Sequence, residues 1–206
     1  MVSTPRTTRS RLILASGSPA RVAMLRAAGV EFTAIPASID EAAIKAQFHD
    51  AGKDALACAM ALAMSKARAV AAQHPEAIVV GADQILVADG EWFDKPATLA
   101  EASAQLRSLS GRRHALVTAA VAVDGDTCLW TATTAPKLTM RRIGESFLAE
   151  YIASEGEAVL GSVGAYRIEG RGVQLFSRIE GDFFSILGLP LIDLLGFLRA
   201  AGLLGE

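Results

Sequence analysis

Apolar residues along this chain come in short blocks with two spacings, one suited to strands and one to helices. Residues 12–15 (LILA) are continuously apolar and predict a buried strand. Residues 19–28 follow as a helix, with Ser18 as N-cap, Pro19 at the first helical position and Gly29 as the stop. Residues 31–36 return as a short strand. Residues 53–73 are rich in alanine and predict a long helix ending near His74-Pro75. The run 77–88 (AIVVGADQILVA) is apolar and β-branched apart from Asp83-Gln84, and Asp89-Gly90 after it signals a hairpin. A helix is expected over 99–109, then two extended stretches, 115–123 and 128–140, paired across Asp124-Gly125-Asp126. Residues 144–154 read as helix. Residues 161–179 read as a strand region whose glycines at 161, 164, 170 and 172 suit a bent sheet, and 189–201 as the closing helix.

Helices and strands alternate, yet several strand pairs are joined by hairpins. That predicts an α/β fold with a mixed, twisted central sheet flanked by helices. No repeat, low-complexity segment or linker divides the chain, so 12–206 reads as one domain, arranged as two lobes. Residues 1–11 (MVSTPRTTRSR) are basic and lack acids, as a transit peptide does, but the strand at Leu12 follows too soon. They read as a disordered N-terminal tail. A chain 51% hydrophobic and 20% charged is globular, and no apolar run reaches the roughly 20 residues of a membrane helix. Twenty basic against 22 acidic side chains give a net charge of -2, which argues against a nucleic-acid polymer as partner. Cys58 and Cys128 lie far apart without metal-ligand spacing, as expected in a reducing cytoplasm.

The stretch ILASGSPAR (13–21) carries more polar groups than a strand-to-helix turn needs. A helix start offers unpaired N–H groups and the positive end of the macrodipole, and so attracts anions. Ser16 and Ser18 add hydroxyls, Gly17 permits close approach, and Arg21 in the first turn makes best sense beside an anion such as a nucleotide's phosphate chain. A capped helix with a solvated arginine accounts for the same residues equally well. No Walker loop, G-x-S-x-G elbow or histidine metal motif is present, and His49, His74 and His114 are scattered. Asp40-Glu41 would suit a hard cation such as Mg2+, although Asp40 as the cap of a helix starting at Glu41 explains the pair by itself. Asp83 is harder to explain away. An ionised carboxylate inside an apolar run is costly unless paired, hydrogen-bonded or bound to a metal, and Gly81 and Ala82 beside it leave room for a ligand. Lys66 and Lys95 would bring positive charge to phosphates, and each alone is equally what a solvated surface lysine looks like.

Together LASGSPAR, SIDE (38–41), AMSKA, VVGADQ, DKPAT, LSGRRHALVT, VGAYRIEGRG and GDFFSILGLPL, in this order from Leu12 to Leu204, resemble the Maf family of nucleoside triphosphate pyrophosphatases, historically linked to septum formation. The resemblance implies a two-lobed Maf/ITPase-like fold with a cleft between the lobes. It also implies hydrolysis of a nucleoside triphosphate to monophosphate and pyrophosphate with a divalent cation, Mg2+ or Mn2+. Asp83 then matches the family's catalytic aspartate, which activates water or holds the metal, and Glu41 a second metal-site carboxylate. Ser16, Arg21, Lys66 and Lys95 match the polar residues around the triphosphate, with Lys66 and Lys95 at the reacting centre, and Ser18 is a further substrate-binding candidate. Ala20, Gln84 and Glu169 fall where branches differ, and the Gln plus Glu pairing resembles the branch acting on 7-methyl-GTP. A carboxylate accepts guanine N1–H and the N2 amino group together, and N7-methylation adds positive charge to the ring.

Three departures from the family pattern stand out: Ala20 in place of a basic residue, Ser162 in place of a frequent lysine, and ADQ where one branch has ADT. The expected setting is cytoplasmic, with a nucleoside triphosphate as partner, no nucleic-acid polymer, no membrane, and a homodimer compatible with the sequence. The leading reading is a housecleaning enzyme for non-standard or surplus nucleotides. The rival is a nucleotide-binding regulator of cell division that hydrolyses nothing. Only the enzyme needs Glu41 and Asp83, because carboxylates repel a triphosphate unless a cation intervenes.

Overall fold

In the computed structural model, which describes residues 11–205, β1 (Arg11–Leu14) leads into α1 (Pro19–Ala27). Arg11, the last residue assigned to the tail 1–11, lies in the strand; the other residues of that segment lie outside the described ones. β2 (Thr33–Ala34) keeps only two exposed residues of the expected strand 31–36, because only Ile13 and Leu14 pair with it. Then come α2 (Glu41–Asp50), α3 (Ala55–Ala71), β3 (Ala77–Ala88), β4 (Glu91–Phe93), α4 (Leu99–Leu109) and β5 (Arg113–Asp124). β6 (Thr127–Thr134), β7 (Lys137–Met140), α5 (Glu145–Glu155), β8 (Phe176–Glu180), α6 (Phe183–Ile186) and α7 (Leu191–Ala200) complete the chain.

The sheet is mixed, in the order β2-β1-β3-β5-β7-β8, with β4 added to β3 and β6 to β5. β1 runs parallel to its neighbours β2 and β3; the other pairs are antiparallel. The long β3 and β5 pair from Ile78↔Asp124 to Val87↔Ala115 and belong to both lobes. Toward one end β3 carries β1 along 77–80 and β5 carries β6; toward the other β3 carries β4 along 86–88 and β5 carries β7. Asp83 and Gln84 lie between these halves, where β3 has β5 on one side and no strand of the described residues on the other.

Three packed groups fill the lobes. α3 lays small residues (Cys58, Ala59, Ala63, Ala67) against Ile13, Val79, Ile85 and Val121 on one face. α1 and α7 cover the opposite face through Leu25, Leu194 and Leu198 against Leu14, Val80 and Ala82. In the second lobe Leu106 of α4 and Leu148 and Tyr151 of α5 pack on Leu86, Leu116 and Leu138. Gly81 is needed where α3 crosses β3: a Cβ there would lie 2.2 Å from the Ala63 carbonyl oxygen and 2.9 Å from the Ala67 Cβ. The alanine-rich helix thus presses directly on the strand two residues before Asp83.

Two expectations need correction. The single stretch 128–140 is two strands, β6 and β7, split at Ala135-Pro136, because proline has no N–H to give to a ladder. The strand region 161–179 is mostly tight 3-10 turns (Gly156–Gly161, Val163–Ala165, Arg171–Leu175), and only β8 is extended. Its glycines do not bend a sheet; Gly164 (φ 77°) and Ala165 (φ 59°) are left-handed, which no strand tolerates. The short α6 is not among the expected elements, although Asp182 caps it by accepting from Ser185 N–H at 2.8 Å. Among the described residues no helix is long and apolar enough to cross a membrane.

Candidate active site

The gap in the β3 edge opens into a cavity of about 1010 Å3 between the lobes. All ten residues singled out from sequence line it: Ser16, Ser18, Ala20, Arg21, Glu41, Lys66, Asp83, Gln84, Lys95 and Glu169.

The end of β1 builds one wall. Ala15 N–H donates to the Val80 carbonyl at 2.8 Å and holds the following turn beside β3. Ser16 Oγ accepts from Ser18 N–H (3.2 Å) and from Arg21 Nη1 (3.4 Å), while Ser18 Oγ accepts from Arg21 N–H (3.4 Å) as the helix cap. Both hydroxyls are used here as acceptors, so each keeps an O–H to donate. The Ala20 N–H lies in the first helical turn, whose donors have no partner within the helix.

Arg21 is not a solvated arginine. It is buried, with Nε donating to the Gly188 carbonyl (2.7 Å) and Nη1 to the Ala82 carbonyl (2.8 Å). The guanidinium takes the place of the missing strand at the β3 edge and ties α1 to the turn between α6 and α7. Burial lowers its pKa, against the opposing pull of Asp83 and Glu41.

The second wall is a charge cluster. Asp40 does cap α2, accepting from Ala43 N–H at 2.9 Å, and this leaves Glu41 to face the cavity. Lys66 Nζ, buried on α3, lies 2.9 Å from Glu41 Oε1 and 2.5 Å from Asp83 Oδ1. Asp83 Oδ2 is buried with no hydrogen-bond partner among the described residues. Lys95 makes no ion pair among the described residues; burial, with the charges of Arg21 and Lys66, lowers its pKa against the effect of Glu41 and Asp83.

Two residues of this wall escaped the sequence reading. Lys45 of α2 pairs with Asp94, which precedes Lys95. Burial pulls the Lys45 pKa down, but the Asp94 hydrogen bond and charge, with Asp83 and Glu41, raise it overall. No periodicity marks such a pair, since its partners are 49 positions apart.

The third wall belongs to the second lobe. Gln84 Nε2 donates to Thr118 Oγ1 (2.8 Å), the Ser185 carbonyl (3.0 Å) and the Ile186 carbonyl (3.3 Å). Three acceptors around the nitrogen fix the amide, so its oxygen is the group left for a ligand. Glu169 is paired with Arg167 at 3.2 Å, and Arg167 also reaches Glu155 at 3.3 Å. Tyr166 is buried beside them, its Oη 2.8 Å from His114 Nε2. Arg167 and Tyr166, which line the cavity, and His114, which supports Tyr166 from behind it, stand inside motifs already noted, but the His114–Tyr166 contact spans 52 residues of chain and no local pattern reveals it.

Among the described residues no three His, Cys, Asp or Glu side chains are grouped to hold a metal by themselves. A cation here would rest on Asp83 and Glu41 and take its other ligands from water or phosphate.

These features define an α/β protein with one mixed sheet, two lobes and a charged cavity between them. The chain belongs to the Maf-like protein family, whose model matches residues 11–201. It is 51% identical over 189 residues to a nucleoside triphosphate pyrophosphatase of Granulibacter bethesdensis, covering 92% of this chain and 96% of that one. It is 46% identical over 192 residues to a 7-methyl-GTP pyrophosphatase of Rhizobium etli, covering 93% and 96%. A solved nucleoside-triphosphatase / dITP/XTP pyrophosphatase of Mycobacterium abscessus overlays with a TM-score of 0.43 at 18% identity, covering 95% of this chain and 98% of that one.

Proposed function

We propose that this chain is a metal-dependent nucleoside triphosphate pyrophosphatase of the cytoplasm, with 7-methyl-GTP as its substrate. The observation that carries the reading is Asp83, which lines the cavity beside the N-terminus of α1, with Oδ1 held by Lys66 and a buried Oδ2 that has no hydrogen-bond partner among the described residues. The names of the relatives, nucleoside triphosphate pyrophosphatase and 7-methyl-GTP pyrophosphatase, support the reaction and the substrate class.

Asp83 and Glu41, which Lys66 Nζ already brings within reach of one cation, would hold Mg2+ or Mn2+ through the oxygens that Lys66 leaves, because Mg2+ characteristically takes one or two carboxylates and fills its shell with water and substrate phosphates. When bound, the ion supplies charge neutralisation at the phosphates and a better pyrophosphate leaving group. Ser16 and Ser18 hydroxyls and Lys95 hold non-bridging phosphate oxygens. Asp83 Oδ2 accepts a hydrogen bond from a water and aims it at the α-phosphorus. As the new P–O bond forms, the bond to the bridging oxygen of pyrophosphate breaks and the water's proton passes to Asp83. Lys66 keeps the carboxylate in place. Gln84 Oε1 and Glu169 present acceptors to a guanine edge, and Glu169 favours the cationic 7-methyl ring.

The test is pyrophosphate release from 7-methyl-GTP, GTP, TTP and UTP, with Mg2+, Mn2+ or a chelator. Release should need a divalent ion and be fastest with 7-methyl-GTP. Faster turnover of TTP or UTP than of any guanine nucleotide would reject the base assignment. Nucleotide binding without release under any ion would reject the hydrolase and favour the regulator of cell division.

A further inference from the structure

Glu169 is not an isolated carboxylate. Arg167 Nε lies 3.2 Å from Glu169 Oε1, and Nη1 of the same guanidinium lies 3.3 Å from Glu155 Oε2. Glu155 ends α5, and its side chain is only 11% exposed, so this ion pair is anchored in the second lobe. The backbone of Arg167 is anchored as well. Its N–H donates to Tyr151 Oη at 3.2 Å, and a Cβ on Gly172 would fall 2.3 Å from its carbonyl oxygen. The guanidinium is therefore fixed between two carboxylates, of which only Glu169 lines the cavity. One positive charge is divided between two negative ones, so the cavity wall feels Glu169 at less than a full negative charge.

We infer that Arg167 is a positioning residue that sets how strongly the cavity distinguishes a cationic purine base from a neutral one, by sharing its charge between Glu169 and Glu155. The inference rests on the reading that the base lies against this wall. A carboxylate free of its arginine attracts a positively charged 7-methylguanine more strongly, while a neutral guanine gains only hydrogen bonding. Charge at position 167 thus tunes selectivity without touching the reacting phosphate.

The experiment measures kcat/KM for 7-methyl-GTP and for GTP in the full-length protein and in four variants. Arg167→Gln should raise the ratio of 7-methyl-GTP to GTP by about fivefold, the upper range for a partly exposed ion pair. Arg167→Lys, which keeps the charge, should hold the ratio near wild type. Glu155→Gln leaves Arg167 to Glu169 alone and should lower the ratio; it decides the matter if Arg167→Gln does not fold. Glu169→Gln should collapse the ratio. A ratio unchanged by Glu169→Gln means the base does not lie on this wall, and the base assignment fails first. A ratio that falls with Glu169→Gln but is unmoved by both Arg167→Gln and Glu155→Gln overturns the inference alone. Equal loss on both nucleotides in the Arg167 variants also overturns it, since that is what a purely structural arginine gives.

Discussion

Asp83 has one oxygen satisfied by Lys66 and the other buried without a partner, an arrangement that costs stability unless a ligand completes it. Asp83→Asn should therefore reduce pyrophosphate release by on the order of 10²–10⁴ while the protein stays folded. A folded variant with most of its activity would remove Asp83 from the chemistry. His114 is a second buried polar residue, hydrogen-bonded to Tyr166 through Nε2 but with Nδ1 unpartnered. Burial holds its pKa down to about 4 from 6.5. The unfolded chain binds this proton more readily, so the stability His114 contributes is complete above about pH 6.5 and is lost as pH falls toward about 4. The loss should reach about 2–3 kcal/mol. In urea unfolding between pH 7 and pH 4, His114→Phe should flatten that acid decline relative to wild type. An identical decline would place the titration elsewhere.

At the scale of elements, Arg21 replaces hydrogen bonds that a strand would have made. It joins α1 to the open edge of β3 and to the turn at Gly188. Arg21→Ala leaves two carbonyls without partners, at about 1–3 kcal/mol each, and should lower the melting temperature as well as raise KM for triphosphates on the order of tenfold. Arg21→Lys keeps a charge but not the fork that reaches both carbonyls, so it should lose stability and retain part of the affinity. Calorimetry and KM read the two effects separately, and an unchanged KM in both variants would make Arg21 purely structural. The strand-helix turn itself was readable from Ser18, Pro19 and Gly29, because capping is local. The carbonyls that Arg21 holds were not, because they lie 61 and 167 positions away.

For the whole molecule, the Lys45–Asp94 pair matters because it joins segments that pack in different lobes. α2 packs Ile44 and Phe48 on the α3 side, whereas Phe93, just before Asp94, packs in the second lobe. Asp94 is largely exposed, so Asp94→Asn should change unfolding free energy by less than about 1 kcal/mol. It also frees Lys45 toward a bound anion. KM for the triphosphate should fall at low ionic strength, and high salt should erase the gain. A KM that does not move at low salt would show that Lys45 stays away from substrate.

By itself the sequence determined the helices whose caps and periodicity are local, the extended runs of β3 and β5, and ten of the residues that line the cavity. Asp83 stood out because a carboxylate inside an apolar run needs an explanation wherever the run folds. Only the tertiary structure decided which polar groups already have partners. It placed Lys66 between Glu41 and Asp83, fixed the Gln84 amide with carbonyls from α6, and joined Glu169 to Arg167. It also turned the expected strand 161–179 into 3-10 turns that deliver Tyr166 and Arg167 to the wall. The physical reason is range: capping, proline geometry and side-chain periodicity act over a few residues, while burial, ion pairing and strand pairing depend on groups brought together from distant parts of the chain.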